Sequence, residues 1–150
     1  MLKKLFIILI SGLILTSCAG QKNVTGGGSI TAGSQEDLIV NVGDRVFFEF
    51  DSFEITVDGQ STLDAQVAWL KQYSEVDITI EGHADERGTR EYNLALGAKR
   101  ANTVYNYLMD AGIANTRMNT VSFGKERPEV IGSTDSAWSQ NRRSVTTVTK

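Results

Sequence analysis

The stretch VDITIEGHADERGTREYNLALGAKRAN, residues 76–102, changes its hydrophobic period part-way, and that change decides the fold. Val76, Ile78 and Ile80 alternate with Asp77, Thr79 and Glu81, the period of a half-buried strand. From Arg90 onward the period lengthens, and Leu94, Ala98, Ala101, Val104, Tyr105 and Leu108 read as the apolar stripe of a helix over 90–110. Thr89 is placed to cap its start and Gly112 to end it. Between strand and helix lies an Asp-Glu-Arg-Gly turn, just after the single histidine of the chain, His83.

Outward from this unit, DRVFFEF (44–50) reads as a first strand, followed by the loop DSFEITVDG and a helix over about 60–73 carrying Leu63, Val67, Trp69 and Leu70. NTVSFG (119–124) is a third strand, SAWSQN (136–141) a short helix and RRSVTTVT (142–149) a last strand. The order strand, helix, strand, helix, strand, short helix, strand predicts an α+β domain, a small mixed four-stranded sheet covered by helices. Its limits are expected at 41–150, with no internal repeat. Gly82 and Gly88 lack the lysine and spacing of a phosphate loop and are read as residues for turns at positive φ.

The chain has 150 residues, is 41% hydrophobic and 22% charged, and has one proline, which suits a single domain with a modest core. A formal charge of -3 and the lack of a basic stripe with interleaved aromatics argue against nucleic acid as a partner. At the N-terminus, Lys3 and Lys4 precede an apolar run from Leu5 to Leu15, the pattern of a signal peptide (1–17). Leu15-Thr16-Ser17-Cys18 resembles the lipobox of bacterial lipoproteins, which implies cleavage before Cys18, the only cysteine, and its acylation. Several acyl chains at about 0.8 kcal/mol per buried methylene make a nearly irreversible anchor. Ala19 after the cysteine implies the outer membrane by the enteric rule. Without residues 1–17 the chain carries 13 basic and 18 acidic residues, formally -5. Residues 18–40 are read as the lipidated cysteine and a Gly/Ser/Thr-rich tether.

Asp85 follows the second strand and precedes a helix N-terminus. Asn93, Gly97 and Arg100 stand at i, i+4 and i+7 of that helix and share a face beside the core stripe. An anionic and a cationic group then converge on one concavity, which suits a ligand bearing an ammonium and a carboxylate on one carbon. The alternative from spacing alone is that Asp85 and Arg100 pair and simply close the loop. Asp51, Ser52 and Phe53 are expected at the same end of the sheet, and Arg142 and Arg143 at the start of the last strand. Both groups are otherwise a polar rim. A metal at His83 lacks convergent partners, and no nucleophile elbow accompanies it, so neither a cofactor nor catalysis is expected. His83 is read as hydrogen-bonded structure.

The run EGHADERGTREYNLALGAKRAN resembles the signature of the OmpA-like peptidoglycan-binding domain. With SFGKERPEV and QNRR, it is similar more narrowly to the lipoprotein branch of that family, the peptidoglycan-associated lipoproteins. The similarity runs from about Asp44 to Lys150. It implies non-covalent binding of the diaminopimelate residue of the peptidoglycan stem peptide, whose free stereocentre bears one ammonium and one carboxylate. Asp85 would hold the ammonium and Arg100 the carboxylate. Asn93 would support loop and ligand, Leu96 and the Asp51 loop would form walls, and Arg143, ahead of Arg142, would add charge at the rim. Departures at Ala95, Gly97 and Lys99 neither add nor remove a ligand-type group. The resemblance further implies a lipid-anchored, periplasm-facing protein that ties the outer membrane to the wall and partners with TolB and the other Tol proteins in division. Its rivals are a wall-binding lipoprotein of another assembly, a wall-cleaving enzyme and a purely structural partner.

Overall fold

The computed structural model describes residues 30–150. The expected signal peptide, Cys18 and the first part of the expected tether lie outside them. The elements are α1 (Gln35–Asp37) continued by a π-helical turn (Leu38–Val42), β1 (Arg45–Phe47), α2 (Val57–Gln72), β2 (Ile78–His83), α3 (Arg90–Asp110), a 3-10 turn (Asn115–Arg117), β3 (Met118–Gly124), α4 (Asp135–Asn141) and β4 (Arg143–Val148). The strands form one mixed sheet in the order β1-β4-β2-β3. β2 and β3 are parallel and joined through α3, while β4 runs antiparallel to both β1 and β2. The expected α+β architecture is therefore the observed one.

Cross-strand partners share a face. Val46, Ser144 and Gly82 form one row across the sheet on the side that faces the helices. Ile78 and Ile80 of β2 pack there with Leu63 and Leu70 of α2 and Val104 and Leu108 of α3, all at most 1% exposed. Each such side chain contributes about 2 kcal/mol by leaving water. α2 begins at Thr56, whose hydroxyl accepts from the Gly59 amide at 3.1 Å. The Arg117 guanidinium donates to the carbonyls of Leu70, Tyr73 and Val76, collecting orphan acceptors at the end of α2.

Three sequence expectations shift. Residues 34–42, read as tether or domain edge, are folded onto the domain. Leu38 is fully buried, and the Asp37 carboxylate accepts from the Gly33 amide at 2.9 Å and from the Trp69 indole at 2.9 Å. The Gly33 amide, then Asn41 and Trp69, hold that carboxyl below its ordinary pKa. In α3, Leu94 is 41% exposed, and the buried face instead runs through Asn93, Leu96, Gly97, Arg100, Ala101, Val104 and Leu108. The rotation follows from close backbone contact. A Cβ on Gly82 would lie 1.8 Å from the Gly97 carbonyl oxygen, so glycine there serves approach between strand and helix and not a positive φ.

Candidate binding site

β2 delivers its C-terminal end to a turn whose backbone is fastened from several sides. Gly88 takes φ +90°. Asn93 donates its amide to the carbonyls of Arg87 (2.8 Å) and Thr89 (3.1 Å). Lys125 donates to the carbonyls of Glu86 (3.1 Å) and Gly88 (2.7 Å). Thr89 then caps α3 by accepting from the Tyr92 amide at 3.2 Å. Across from this turn the chain leaving β1 rounds Asp51, which sits at φ 54°, and the Tyr92 hydroxyl donates to the Asp51 carboxylate.

These pieces enclose a concavity of about 230 Å³ walled by Phe50, Asp51, Asp85, Arg87, Gly88, Tyr92, Asn93, Leu96, Arg100 and Arg142. Asp85 and Arg100 are 4% and 0% exposed, and they do not bond to each other. Arg100 donates from Nε to the Ser52 carbonyl (2.8 Å), from Nη1 to that of His83 (2.7 Å) and from Nη2 to that of Glu49 (3.1 Å). Its guanidinium ties the 49–52 loop to the end of β2. Burial, and then Arg142, lower it to about 10, so it stays charged at neutral pH. Asp85 is bound by Arg87 through Nε (3.1 Å) and Nη2 (2.6 Å) and by Arg142 Nη1 at 3.4 Å. Burial pushes the Asp85 carboxyl up, but the bonds from Arg87 outweigh it and hold it below the usual carboxylate range.

A larger open groove of about 500 Å³ runs between β1 and the start of α2 and meets the first concavity at Arg142. The smaller one is the candidate site, because there a buried carboxylate and a buried guanidinium face one concavity. Among the described residues no group of three His, Cys, Asp or Glu side chains is arranged to hold a metal ion.

Comparison with known proteins bears on the fold and the family. The model of the OmpA family matches residues 47–142. The peptidoglycan-associated lipoprotein of Rhizobium meliloti (strain 1021) is 53% identical over 148 residues, 93% of this chain and 84% of the relative. The chain belongs to the OmpA family, in its peptidoglycan-associated lipoprotein branch. The namesake from Haemophilus influenzae is 36% identical over 143 residues, covering 92% of this chain and 94% of its own. The crystal structure of the Burkholderia pseudomallei peptidoglycan-associated lipoprotein superposes with a TM-score of 0.69 at 40% identity, over 71% of this chain and 90% of that one. The C-terminal domain of Helicobacter pylori MotB shares the fold at 20% identity and a TM-score of 0.66.

Within this OmpA-family domain, Asp85, Arg100, Asn93, Leu96 and Asp51 all reach the concavity. Arg143 does not, and the preference for it over Arg142 is corrected. Arg143 opens β4 with its side chain on the far side of the sheet. It is 5% exposed, 3.4 Å from the Glu129 carboxylate, with Nη2 donating to the Arg127 carbonyl at 3.3 Å. Arg142, one residue earlier, donates Nε to the Phe48 carbonyl (2.9 Å) and turns Nη1 to Asp85. Next to Arg143, His83 is 1% exposed; its Nε2 lies 3.3 Å from Glu81 and its Nδ1 has no partner. Burial, and then Arg143, depress its pKa to about 4. The sequence reading missed Arg87, Tyr92 and Phe50. Arg87 was signalled by the turn itself, since its amide closes on Asp85 Oδ1 at 3.1 Å as aspartate does two residues before a turn.

Proposed function

We propose that this chain is an outer-membrane lipoprotein that binds peptidoglycan non-covalently at the diaminopimelate residue of the stem peptide. One observation carries the reading: a buried carboxylate and a buried guanidinium face one concavity without bonding to each other. An ammonium and a carboxylate on one carbon suit a site that presents one anion and one cation, with Asp85 as acceptor and Arg100 as donor. Asn93 holds the turn that carries Asp85, Leu96 and the Asp51 loop form walls, and Arg142 supplies the further cation.

Cys18 carries the acyl anchor, residues 1–17 are removed as the signal peptide, and the remaining upstream segment spans from membrane to domain. The protein faces the periplasm and works with TolB and the other Tol proteins, as its resemblance to the peptidoglycan-associated lipoproteins suggests.

The test is co-sedimentation of residues 19–150 with purified peptidoglycan, beside Asp85→Asn and Arg100→Ala variants whose melting shows that they fold. Binding by the unaltered protein, lost in both variants and competed by a diaminopimelate stem peptide but not by its lysine counterpart, is the expected result. Unchanged binding in both folded variants would move the site elsewhere, and release of wall fragments would make the protein an enzyme. Capture of purified TolB by the same soluble chain tests the Tol partnership separately.

A further inference from the structure

An Asp85 carboxylate that is to hold an ammonium is already fully engaged. A carboxylate offers about four lone-pair positions. In Asp85, Oδ1 accepts from the Arg87 amide and from Arg87 Nε, both at 3.1 Å. Oδ2 accepts from Arg87 Nη2 at 2.6 Å and Arg142 Nη1 at 3.4 Å. A ligand ammonium therefore cannot be added to this site; it has to displace a donor.

Three features single out the Arg87 side chain as the one that leaves. It is 32% exposed, whereas that of Arg142 is 13% exposed and is fixed by its bond to the Phe48 carbonyl. The Arg87 backbone is fastened by Asn93, and the turn by Lys125, so the side chain can swing without moving the loop. Its guanidinium carbon lies 4.0 Å from the ring centroids of both Phe50, a wall of the site, and Trp138 of α4. Those rings bind a guanidinium by its face and leave its edge free to turn. Trp138 is itself fixed by donating its indole N–H to Glu86 at 3.0 Å.

We propose that Arg87 is an internal stand-in for the ligand, its guanidinium occupying the ammonium position on Asp85 and yielding it to the diaminopimelate ammonium. The inference rests on the zwitterion reading of the site. The resident cation keeps a buried carboxylate compensated while the site is empty. It also sets specificity. A ligand lacking an ammonium at this carbon gains nothing to offset the ion pair it must break, so it is excluded by exchange as well as by shape.

The test is titration of the soluble chain with the tripeptide alanyl-glutamyl-diaminopimelate, followed by calorimetry and by tryptophan emission, for the unaltered protein, Arg87→Ala, Arg87→Gln and Arg142→Ala. Exchange predicts binding about fivefold tighter in both Arg87 variants, since a partly buried ion pair no longer has to be broken. It also predicts a ligand-induced change in Trp138 emission that vanishes in those variants. Bulk attraction has the opposite sign, because a variant that has lost a cation holds an acidic peptide less tightly. Equal or weaker binding by the folded Arg87 variants, or tightening by Arg142→Ala instead, overturns the exchange and leaves the zwitterion site standing. Absence of tripeptide binding in every form overturns the zwitterion site and the exchange with it.

Discussion

Arg142 and Arg143 are consecutive, equally charged, and opposite in use. Arg142 caps the end of α4, bridges the Phe48 carbonyl and Asp85, and borders an open concavity. Arg143 starts β4 on the other face of the sheet, where Glu129 and the Arg127 carbonyl meet it beneath the 125–134 loop. Successive side chains of an extended chain point to opposite faces, so adjacent residues are divided between two environments. The first region keeps cations at the border of the candidate concavity. The second uses a cation to hold a loop down, beside a histidine kept neutral by burial. Charge and position in sequence do not separate the two roles; the face does.

The largest effect should come from the residue on which both regions hang. Gly82→Ala drives a Cβ to within 1.8 Å of the Gly97 carbonyl oxygen, backbone against backbone. The expected cost is about 3 kcal/mol or more, so calorimetry should show the transition lost or greatly lowered and wall binding lost with it. A melt close to that of the parent would mean that α3 can lift off β2, and the two regions are less firmly joined than their contact implies.

Next come two substitutions that should separate the regions. Asp85→Asn should weaken wall binding about a hundredfold per folded molecule, and the loss of its charged bonds to Arg87 and Arg142 should also lower stability by about 1–2 kcal/mol. Arg143→Ala should lower stability alone. It leaves half-exposed Glu129 without one of its two cationic partners and costs about 2 kcal/mol in chemical denaturation, with binding per folded molecule intact. If Arg143→Ala weakens binding as strongly as Asp85→Asn, the division by faces is wrong.

Acid should reach the two regions in different pH ranges. The folded pKa of His83, about 4, lies below its unfolded value near 6.5. Above 6.5 both states are neutral and His83 costs nothing. Between 6.5 and 4 only the unfolded chain takes up the proton, so stability should fall on acidification by up to about 1.4 kcal/mol per pH unit. His83→Gln should flatten that slope. The Asp85 carboxyl, depressed in the fold, stays ionised through this window. Binding by the molecules still folded should therefore persist to below pH 4, the ordinary carboxylate range. The smallest effect belongs to Arg142→Gln. Its contact with Asp85 is long, 3.4 Å, and about a threefold loss of affinity by calorimetry is expected.

The parts of this structure legible in the sequence are those governed by local period and by end signals. The alternation of 76–81 gave β2, and Thr89, Asp110 and Gly112 bound α3 as read. Asp85, Asn93 and Arg100 were found together because a strand end and one helix face fix their directions without further information. What failed depended on contacts distant in sequence. Which of Arg142 and Arg143 faces the site is a matter of strand register, and a shift of one residue exchanges the faces. Leu94 was assigned to the core by apolarity, yet the contact of Gly97 with Gly82 turns α3 so that Asn93 and Arg100 take inward positions. Residues 34–42 have no period of their own; Leu38 is drawn inward by the core, and Asp37 is held by Trp69 from 32 residues away. The run 44–50 reads as one strand, but its ladder with β4 covers only Arg45–Phe47 before the chain turns toward the site.

The attachment of residues 33–42 also has a mechanical meaning. Gln35 bonds the Thr146 carbonyl and the Val148 amide, at the end of β4 remote from Arg142. A pull entering the domain through residue 33 and resisted by a ligand between Asp85 and Arg100 would act along β1, β4 and β2, parallel to the strands. Inter-strand bonds loaded in that direction share the force and must slide together, whereas bonds pulled crosswise open one after another. Under such a pull the sheet would be loaded in shear between the N-terminal fastening and the concavity.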